Sequence, residues 1–108
     1  MPYIELKTNV AIAEKTKLQA ALAELVTIIP GKLPNRTMVS VVENDALFFE
    51  GSNEPCAMIT TLVNPETIMD KNREYCDATL AEVAQQLGVP EKRIYVVVSK
   101  VDIWHCRK

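Results

Sequence analysis

An internal repeat is the feature that most limits how this 108-residue chain can fold. The segment GKLPNRTMVSVV at 31–42 resembles LGVPEKRIYVVV at 87–98, and the same offset of 56 aligns PYIEL at 2–6 with MITTL at 58–62. Each half has strand-like patterns at both ends and a longer segment with helical spacing between them. The sequence therefore predicts a strand–helix–strand unit that occurs twice.

Apolar residues spaced four, three and four positions apart mark one helix in each half. They are Leu18, Leu22, Leu25 and Ile29 in the first half, and Cys76, Leu80, Val83 and Leu87 in the second. Each set forms one stripe on an amphipathic helix. We predict helices at about 13–29 and 66–87, with Asn64 as the cap of the second helix. Gly31 and Gly88 follow the two helices as stop signals.

The strand patterns complete an α/β (α+β) fold. They lie at about 2–9, 38–43, 58–64 and 94–101, with a short extra strand at 46–50. Right-handed crossovers place both helices on one face of a four-stranded mixed sheet, in a single domain over 1–108 with pseudo-repeats at about 2–50 and 58–103. The strands RIYVVVSKV and MVSVV have apolar side chains on both faces, which indicates burial on both sides. We expect another subunit to cover the second face.

Composition and charge exclude several classes of protein. Apolar residues make up 48% of the chain and charged residues 24%, which is typical of an ordered globular protein. The net charge of −2 and the lack of a basic stripe argue against a nucleic-acid partner. Neither a secretory signal pattern nor an apolar run of membrane-spanning length is present, so we expect a cytoplasmic protein with no membrane partner.

The cysteine and histidine pattern argues against disulfides and metals. Cys56, Cys76 and Cys106 are odd in number and widely spaced, so a disulfide framework is not expected. His105 is the only histidine, and its neighbour Cys106 alone does not make a zinc site. We expect no metal and no cofactor.

Pro2 is an unusual residue with which to begin a strand, because proline has no backbone N–H to donate. Removal of Met1, expected before a small second residue, would leave a free secondary amine at position 2. That amine could act as a base or a nucleophile, or Pro2 could simply end the strand. The residues alone leave these alternatives open.

Five stretches of the chain carry a family resemblance. They are MPYIELKTNV at the start, GK at 31–32, GSNEPCAM at 51–58, NREYC at 72–76 and PEKRIYV at 90–96. Together they resemble the macrophage migration inhibitory factor family of the tautomerase superfamily. The resemblance implies a homotrimer of duplicated β-α-β units. It also implies keto–enol tautomerisation of phenylpyruvate-like 2-keto acids, with dopachrome as a possible assay substrate.

The resemblance also assigns roles to particular residues. Pro2 matches the family's catalytic base, and Lys32 matches its carboxylate-binding lysine. Asn64 falls where the family binds substrate through a backbone amide, and Tyr95 matches a tyrosine given by the neighbouring subunit. The base role agrees with the chemistry, since α-amino groups titrate near about pH 7.7–8.0 and are partly neutral at pH 7.

Two departures from the family pattern bear on the substrate. Arg36 replaces a pocket aromatic, and Val97 replaces an asparagine that contacts the far end of the substrate. Arginine binds carboxylates bidentately, so the resemblance with these changes favours a substrate with a second anionic group. The alternative is that Arg36 points to solvent. The shortened C-terminus leaves the role of Trp104 open.

Three functional hypotheses remain at this stage. The first is an isomerase that uses Pro2 and binds substrate through Lys32, Asn64, Tyr95 and Arg36. The second is a non-catalytic trimer of the same fold that binds a receptor or another partner in a cytokine-like role. The third is a generic regulatory domain that binds a small ligand as a dimer, and it explains neither Pro2 nor GSNEPCA. Removal or retention of Met1 distinguishes the first hypothesis from the other two.

Overall fold

A computed structural model describes residues 2–107 of the chain, and Met1 and Lys108 lie outside the described residues. The expected removal of Met1 therefore stays a prediction. In chain order the strands and α-helices are β1 (Tyr3–Thr8), α1 (Lys15–Leu25), β2 (Met38–Val42), β3 (Ala57–Val63), α2 (Asn72–Leu87) and β4 (Ile94–Lys100). Short 3₁₀ turns extend α1 to Ile28 and precede β2 and β4.

The four strands form one mixed sheet in the order β2-β1-β3-β4. Within each half the two strands are parallel, β1 with β2 and β3 with β4, and the halves join through the antiparallel pair β1–β3. A parallel pair needs a crossover, and the helix of each half supplies it. The duplicated β-α-β unit and the four-stranded sheet are thus confirmed.

The core lies between the sheet and the two helices. Alternate residues of β1 and β3 point toward the helices, and Ile4, Leu6 and Ile59 are fully buried there. Leu18 and Leu22 of α1 are buried against them, as the apolar stripe predicts. Full burial of each of these side chains stabilises the fold by about 1.5–3 kcal/mol.

The apolar stripe predicted for α2 packs against the core, but the helix is most deeply buried along Tyr75 and Thr79, just beside that stripe. Its buried residues are Tyr75, Thr79 and Val83, whereas Cys76 and Leu80 are only half-buried. The Tyr75 hydroxyl lies 2.8 Å from Thr61 Oγ1 in the buried region, so these hydroxyls are satisfied inside the core. Burial raises the pKa of Tyr75, although the hydrogen bond to Thr61 opposes this.

The predicted start of α2 is wrong. The helix begins at Asn72, and Asn64 does not cap it. The Thr67 N–H donates to the Asn64 carbonyl at 3.1 Å, and Thr67 Oγ1 donates to Asn64 Oδ1 at 2.7 Å. Such local bonds give the backbone an alternative to helix, so this segment closes a turn. The predicted end is right, because Gly88 has φ +70° and its N–H donates to the Ala84 carbonyl at 2.9 Å.

The predicted extra strand at 46–50 is also wrong. Within residues 2–107 this segment forms only an isolated bridge, in which Phe49 and Ser52 exchange backbone hydrogen bonds of 2.9 and 3.1 Å. The chain turns back at Glu50 and Gly51, both of which have positive φ. Phe49 therefore pairs across the turn with Ser52, and the segment adds no strand to the sheet of β1–β4.

Within residues 2–107, no layer covers the sheet face that points away from the helices. Three of its larger side chains are strongly exposed: Met38 at 70%, Tyr95 at 58% and Val97 at 40%. A sheet with one solvated face usually shows polar side chains there, and these are apolar or aromatic. Within residues 2–107, no helix combines the length and the apolar character needed to span a membrane.

Candidate active site

The starts of β1 and β2 and the end of β3 lie side by side. We call this end of the sheet, along the strand direction, the groove end. Tyr3 at the start of β1 pairs with Met38 at the start of β2 and with Leu62 near the end of β3. The Met38 N–H also donates to the Pro2 carbonyl at 3.1 Å. One further step of the antiparallel register places Pro2 opposite Val63, next to Asn64. The topology thus gathers residues that are far apart in the sequence.

An open groove with a volume of about 610 Å³ lies at the groove end. Its walls are Pro2, Tyr3, Asn35, Arg36, Thr37, Met38, Trp104 and Cys106. Pro2 is buried among them. The C-terminal segment reaches the groove because the Val101 N–H donates to the Val63 carbonyl at 3.0 Å and continues the chain past the end of β3. The structure therefore places Pro2 and Arg36 in one groove.

Lys32 reaches the groove end from the loop after α1. Gly31 has φ +79°, and the Lys32 N–H donates to the Ile29 carbonyl at 3.1 Å, so the chain turns sharply there. The Lys32 side chain is half-buried, and its Nζ donates a short hydrogen bond to Asn64 Oδ1. Because Asn64 directly follows β3, this bond joins the loop to the groove end.

The electrostatics of the groove end favour an anion. Burial lowers the pKa of Lys32 from its usual value of 10.5, and the nearby Glu66 carboxylate raises it in part. Arg36 adds a second cationic side chain to the groove wall. Cationic side chains near an amine favour its neutral form, because they disfavour another positive charge. They also attract carboxylates.

Tyr95 does not lie with the other predicted site residues. It pairs with Met58 at the start of β3, and Met58 pairs with Lys7 near the end of β1. Lys7 is five residues from Pro2, so Tyr95 lies roughly 16–17 Å away along the strand direction. Its ring makes an edge-to-face contact with Phe49, with centroids 4.9 Å apart. We call this opposite end of the sheet the aromatic end, and its residues are Leu47, Phe48, Phe49 and Tyr95.

A smaller cavity of about 220 Å³ lies at the aromatic end, and its walls are largely apolar. Its cation, Arg93, is already used to hold the loop before β3. The guanidinium donates to the Pro55 carbonyl at 2.9 Å and to the Glu54 carbonyl at 3.1 Å, and it lies 5.2 Å from the Phe49 ring centroid. The groove end is therefore the better candidate for chemistry on a charged substrate.

Two features of the groove end were missed by the sequence analysis. The path of the C-terminal segment, which brings Trp104 and Cys106 into the groove wall, has no signal in the local sequence. The side chain of Asn64 has a contact of its own with Lys32, although a helix cap was predicted for it. The Asn64-Pro65 dipeptide, which favours the start of a turn, was the signal that could have predicted this contact region.

Metal chemistry finds no support in the described part of the chain. Among residues 2–107, no group of three or more His, Cys, Asp or Glu side chains is arranged to hold a metal ion. The groove walls instead offer a proline, an arginine, an aromatic ring and a thiol. Such a site suits proton transfer on an organic anion.

Comparison with known families decides which family this architecture represents. The family model described as macrophage migration inhibitory factor matches residues 1–108. The chain belongs to this family. It is accordingly a member of the tautomerase superfamily, as the resemblance implies. A comparison with curated protein sequences gives no significant match.

Solved structures of family members share the fold. The crystal structure of Leishmania major MIF2 has a TM-score of 0.85 and 23% identity, covering 100% of this chain and 93% of that one. The Trichinella spiralis factor has a TM-score of 0.79 and 22% identity, covering 93% and 89%. The Prochlorococcus marinus homologue has a TM-score of 0.75 and 24% identity, covering 94% and 88%. At such identities the likeness supports the fold, and the chemistry has to be argued from this chain's own residues.

Proposed function

We propose that this protein is a keto–enol tautomerase that acts on phenylpyruvate-like 2-keto acids, with Pro2 as its general base. The observation that carries the proposal is the position of Pro2, buried in the wall of a groove that Arg36 also lines. Lys32 lies at the same end of the sheet through its bond to Asn64. Family membership makes a tautomerase the natural chemistry for such a groove.

Pro2 works as a base only after Met1 is removed, because its nitrogen is an amide while Met1 is attached. The freed amine takes a proton from the carbon next to the ketone, and the electron pair of that C–H bond forms the enol double bond. The carbonyl oxygen then takes the proton from the prolinium, so the net change is an isomerisation. A neutral amine near pH 7 is needed, and nearby cations favour it.

Lys32 binds the carboxylate of the substrate in this proposal. A charge-assisted hydrogen bond from an ammonium fixes one end of the keto acid, which orients the carbon to be deprotonated. Trp104 in the groove wall gives an aromatic substrate an apolar surface. Arg36 stands in the same wall and offers a second anion-binding group.

We also propose that the protein is a homotrimer in which Tyr95 of a partner subunit completes each site. Two observations support this. The sheet face opposite the helices exposes Met38, Tyr95 and Val97. Tyr95 also lies too far from Pro2 in its own chain to share a substrate with it. Sedimentation that gives a stable monomer would contradict the trimer.

The function is tested with the Pro2→Gly variant. Glycine also permits removal of Met1 and keeps an amine, but it loses the fixed ring. We expect kcat/KM for phenylpyruvate tautomerisation to fall about 100-fold, within the range for general bases. Pro90→Gly, at an exposed position in the loop between α2 and β4, is the matched control and should retain activity. Intact mass must show that Met1 is absent from every sample.

Unchanged turnover in correctly processed Pro2→Gly would refute the base role. Complete retention of Met1 in the native protein would refute the enzyme and favour a non-catalytic, partner-binding trimer. Kinetics of the variant give the first result and the intact mass of the native protein gives the second, so the two outcomes can be distinguished.

A further inference from the structure

The Asn64 side chain is held by two donors at once. Its Oδ1 accepts a hydrogen bond from Lys32 Nζ and another from Thr67 Oγ1 at 2.7 Å. Thr67 is only 4% exposed, and its N–H donates to the Asn64 carbonyl at 3.1 Å. The carboxamide is thus fixed from the buried side and presents its oxygen to the lysine.

The orientation of the carboxamide is consistent with its other contact. Asn64 Nδ2 lies 3.5 Å from Glu66 Oε1, so the amide nitrogen faces an acceptor while the oxygen faces the donors. A rotated amide would place its NH₂ group against the Lys32 ammonium, which has only donors. The three contacts therefore select one orientation.

A neutral acceptor beside Lys32 has a consequence for ligand binding. An ammonium has three N–H donors, and Asn64 uses one of them, so two donors stay available for a carboxylate. An acidic side chain at position 64 would also bind the lysine, but it would cancel the positive charge that attracts an anion. Burial lowers the pKa of Lys32, and the nearby Glu66 carboxylate raises it in part.

We propose that the Asn64 carboxamide, braced by Thr67, is a positioning residue that holds the Lys32 ammonium oriented to receive a ligand carboxylate. This role belongs to the side chain of Asn64, whereas the family resemblance implies only a backbone role at this position. The inference rests on the proposed function for the identity of the ligand as an organic acid, and on the hydrogen bonds for the rest.

Four variants separate charge from geometry. Asn64→Asp keeps the acceptor and adds a negative charge, whereas Asn64→Leu removes the acceptor at similar size. Thr67→Val removes only the bracing hydroxyl. Asn72→Leu, at the exposed first residue of α2, is the matched control. Thermal melts by circular dichroism establish that each variant is folded.

The readout is binding of phenylacetate, measured by calorimetry, together with the pKa of Lys32, measured by NMR of its side chain. Asn64→Asp places a second negative charge next to the incoming carboxylate and cancels the positive charge of Lys32, so we expect this variant to weaken binding by at least about tenfold. We expect the same variant to raise the pKa of Lys32, since a carboxylate favours the charged ammonium.

The other variants should weaken binding less, with Asn64→Leu losing more affinity than Thr67→Val. We expect Asn64→Leu to weaken binding about three- to fivefold without raising the pKa of Lys32, since only orientation is lost. Thr67→Val should weaken binding about twofold, and Asn72→Leu should leave both readouts unchanged. If Asn64→Asp does not fold, Asn64→Leu and Thr67→Val test the inference, which requires that Asn64→Leu loses more affinity than Thr67→Val.

Wild-type affinity and an unchanged Lys32 pKa in Asn64→Asp would overturn the inference, and so would a wild-type protein that does not bind phenylacetate. Neither readout needs turnover. A protein that shows the expected binding pattern but no tautomerase activity would refute the proposed function and leave the role of Asn64 intact.

Discussion

The groove end and the aromatic end of the sheet differ in almost every physical property. At the groove end, Pro2 lies buried in the wall of an open groove of about 610 Å³ that the cationic Arg36 also lines. At the aromatic end, Phe48 is 75% exposed and the Phe49 and Tyr95 rings pack edge to face around a cavity of about 220 Å³. One end therefore suits charge and proton transfer, and the other suits contact with an apolar surface.

This difference indicates how a site is built from a small chain. The strand register holds the two ends roughly 16–17 Å apart, so a residue at one end cannot reach a small ligand at the other. If both ends belong to one active site, the chain has to meet a second copy of itself. A head-to-tail contact of this kind closes into a ring, which fits a trimer.

The largest change is expected at the groove end, from Lys32→Ala. Loss of the ammonium removes a charge-assisted bond to the substrate carboxylate, so kcat/KM for phenylpyruvate should fall about 10- to 100-fold, mainly through a higher KM. The exposed Lys71, which pairs with Glu74 at 3.2 Å, gives the control Lys71→Ala. Steady-state kinetics of both variants measure this effect. Equal losses of kcat/KM in Lys32→Ala and Lys71→Ala would show that Lys32 does not bind the substrate.

A smaller change is expected at the aromatic end, from Tyr95→Ala. In the proposed trimer this ring lies in a subunit interface and a substrate wall, so its removal should lower kcat/KM about tenfold and weaken that assembly. Tyr95→Phe keeps the ring contact with Phe49 and should stay within about threefold of wild type. Kinetics and sedimentation of both variants are needed. If Tyr95→Ala had full activity in an intact trimer, the aromatic end would not belong to the site.

A selective change of about fivefold is expected from Arg36→Ala. Removal of this guanidinium should lower kcat/KM more for a dicarboxylic keto acid than for 4-hydroxyphenylpyruvate, because only the diacid uses the second cation. The ratio of the two kcat/KM values measures the effect. Equal loss on both substrates would show that Arg36 does not choose between them.

The smallest expected effect concerns stability and pH. The pKa of Lys32 is lowered in the folded protein, chiefly by burial, so folding carries a penalty while the lysine is protonated in both states. That penalty is full below the folded pKa and disappears as the pH rises through it toward the usual value of 10.5. Lys32→Met should therefore be slightly more stable than wild type at pH 7, with a smaller difference at pH 10. Urea unfolding at both pH values checks this, and a difference that grows with pH would contradict it.

The sequence predicted the fold well because the repeat and the apolar spacing report on burial, which decides the architecture. Its failures occurred where polar groups satisfy one another locally. The Asn64–Thr67 hydrogen bond closes a turn ahead of α2, and the Thr61–Tyr75 hydrogen bond lies in the core beside the predicted apolar stripe of that helix. Side-chain hydrogen bonds of this kind leave no periodic signal in the sequence.

The candidate site was only partly accessible from the sequence. Pro2, Lys32 and Arg36 were found through a family resemblance, and the topology then gathered them at the groove end. The C-terminal segment with Trp104 could not be placed, because its path depends on a backbone bond between Val101 and Val63. Whether Tyr95 joins the site depends on an assembly that a single chain does not contain.

The central claim is that Pro2 carries a free amine with a lowered pKa, so that a substantial fraction of it is neutral at pH 7. Its most direct test is a titration of protein labelled with ¹⁵N-proline, in which the Pro2 nitrogen signal is followed by NMR. We predict an amine signal with a pKa below the ordinary range of about 7.7–8.0, since nearby cations disfavour another positive charge. A Pro2 nitrogen that behaves as an amide, or an amine with a pKa above that range, would contradict the account.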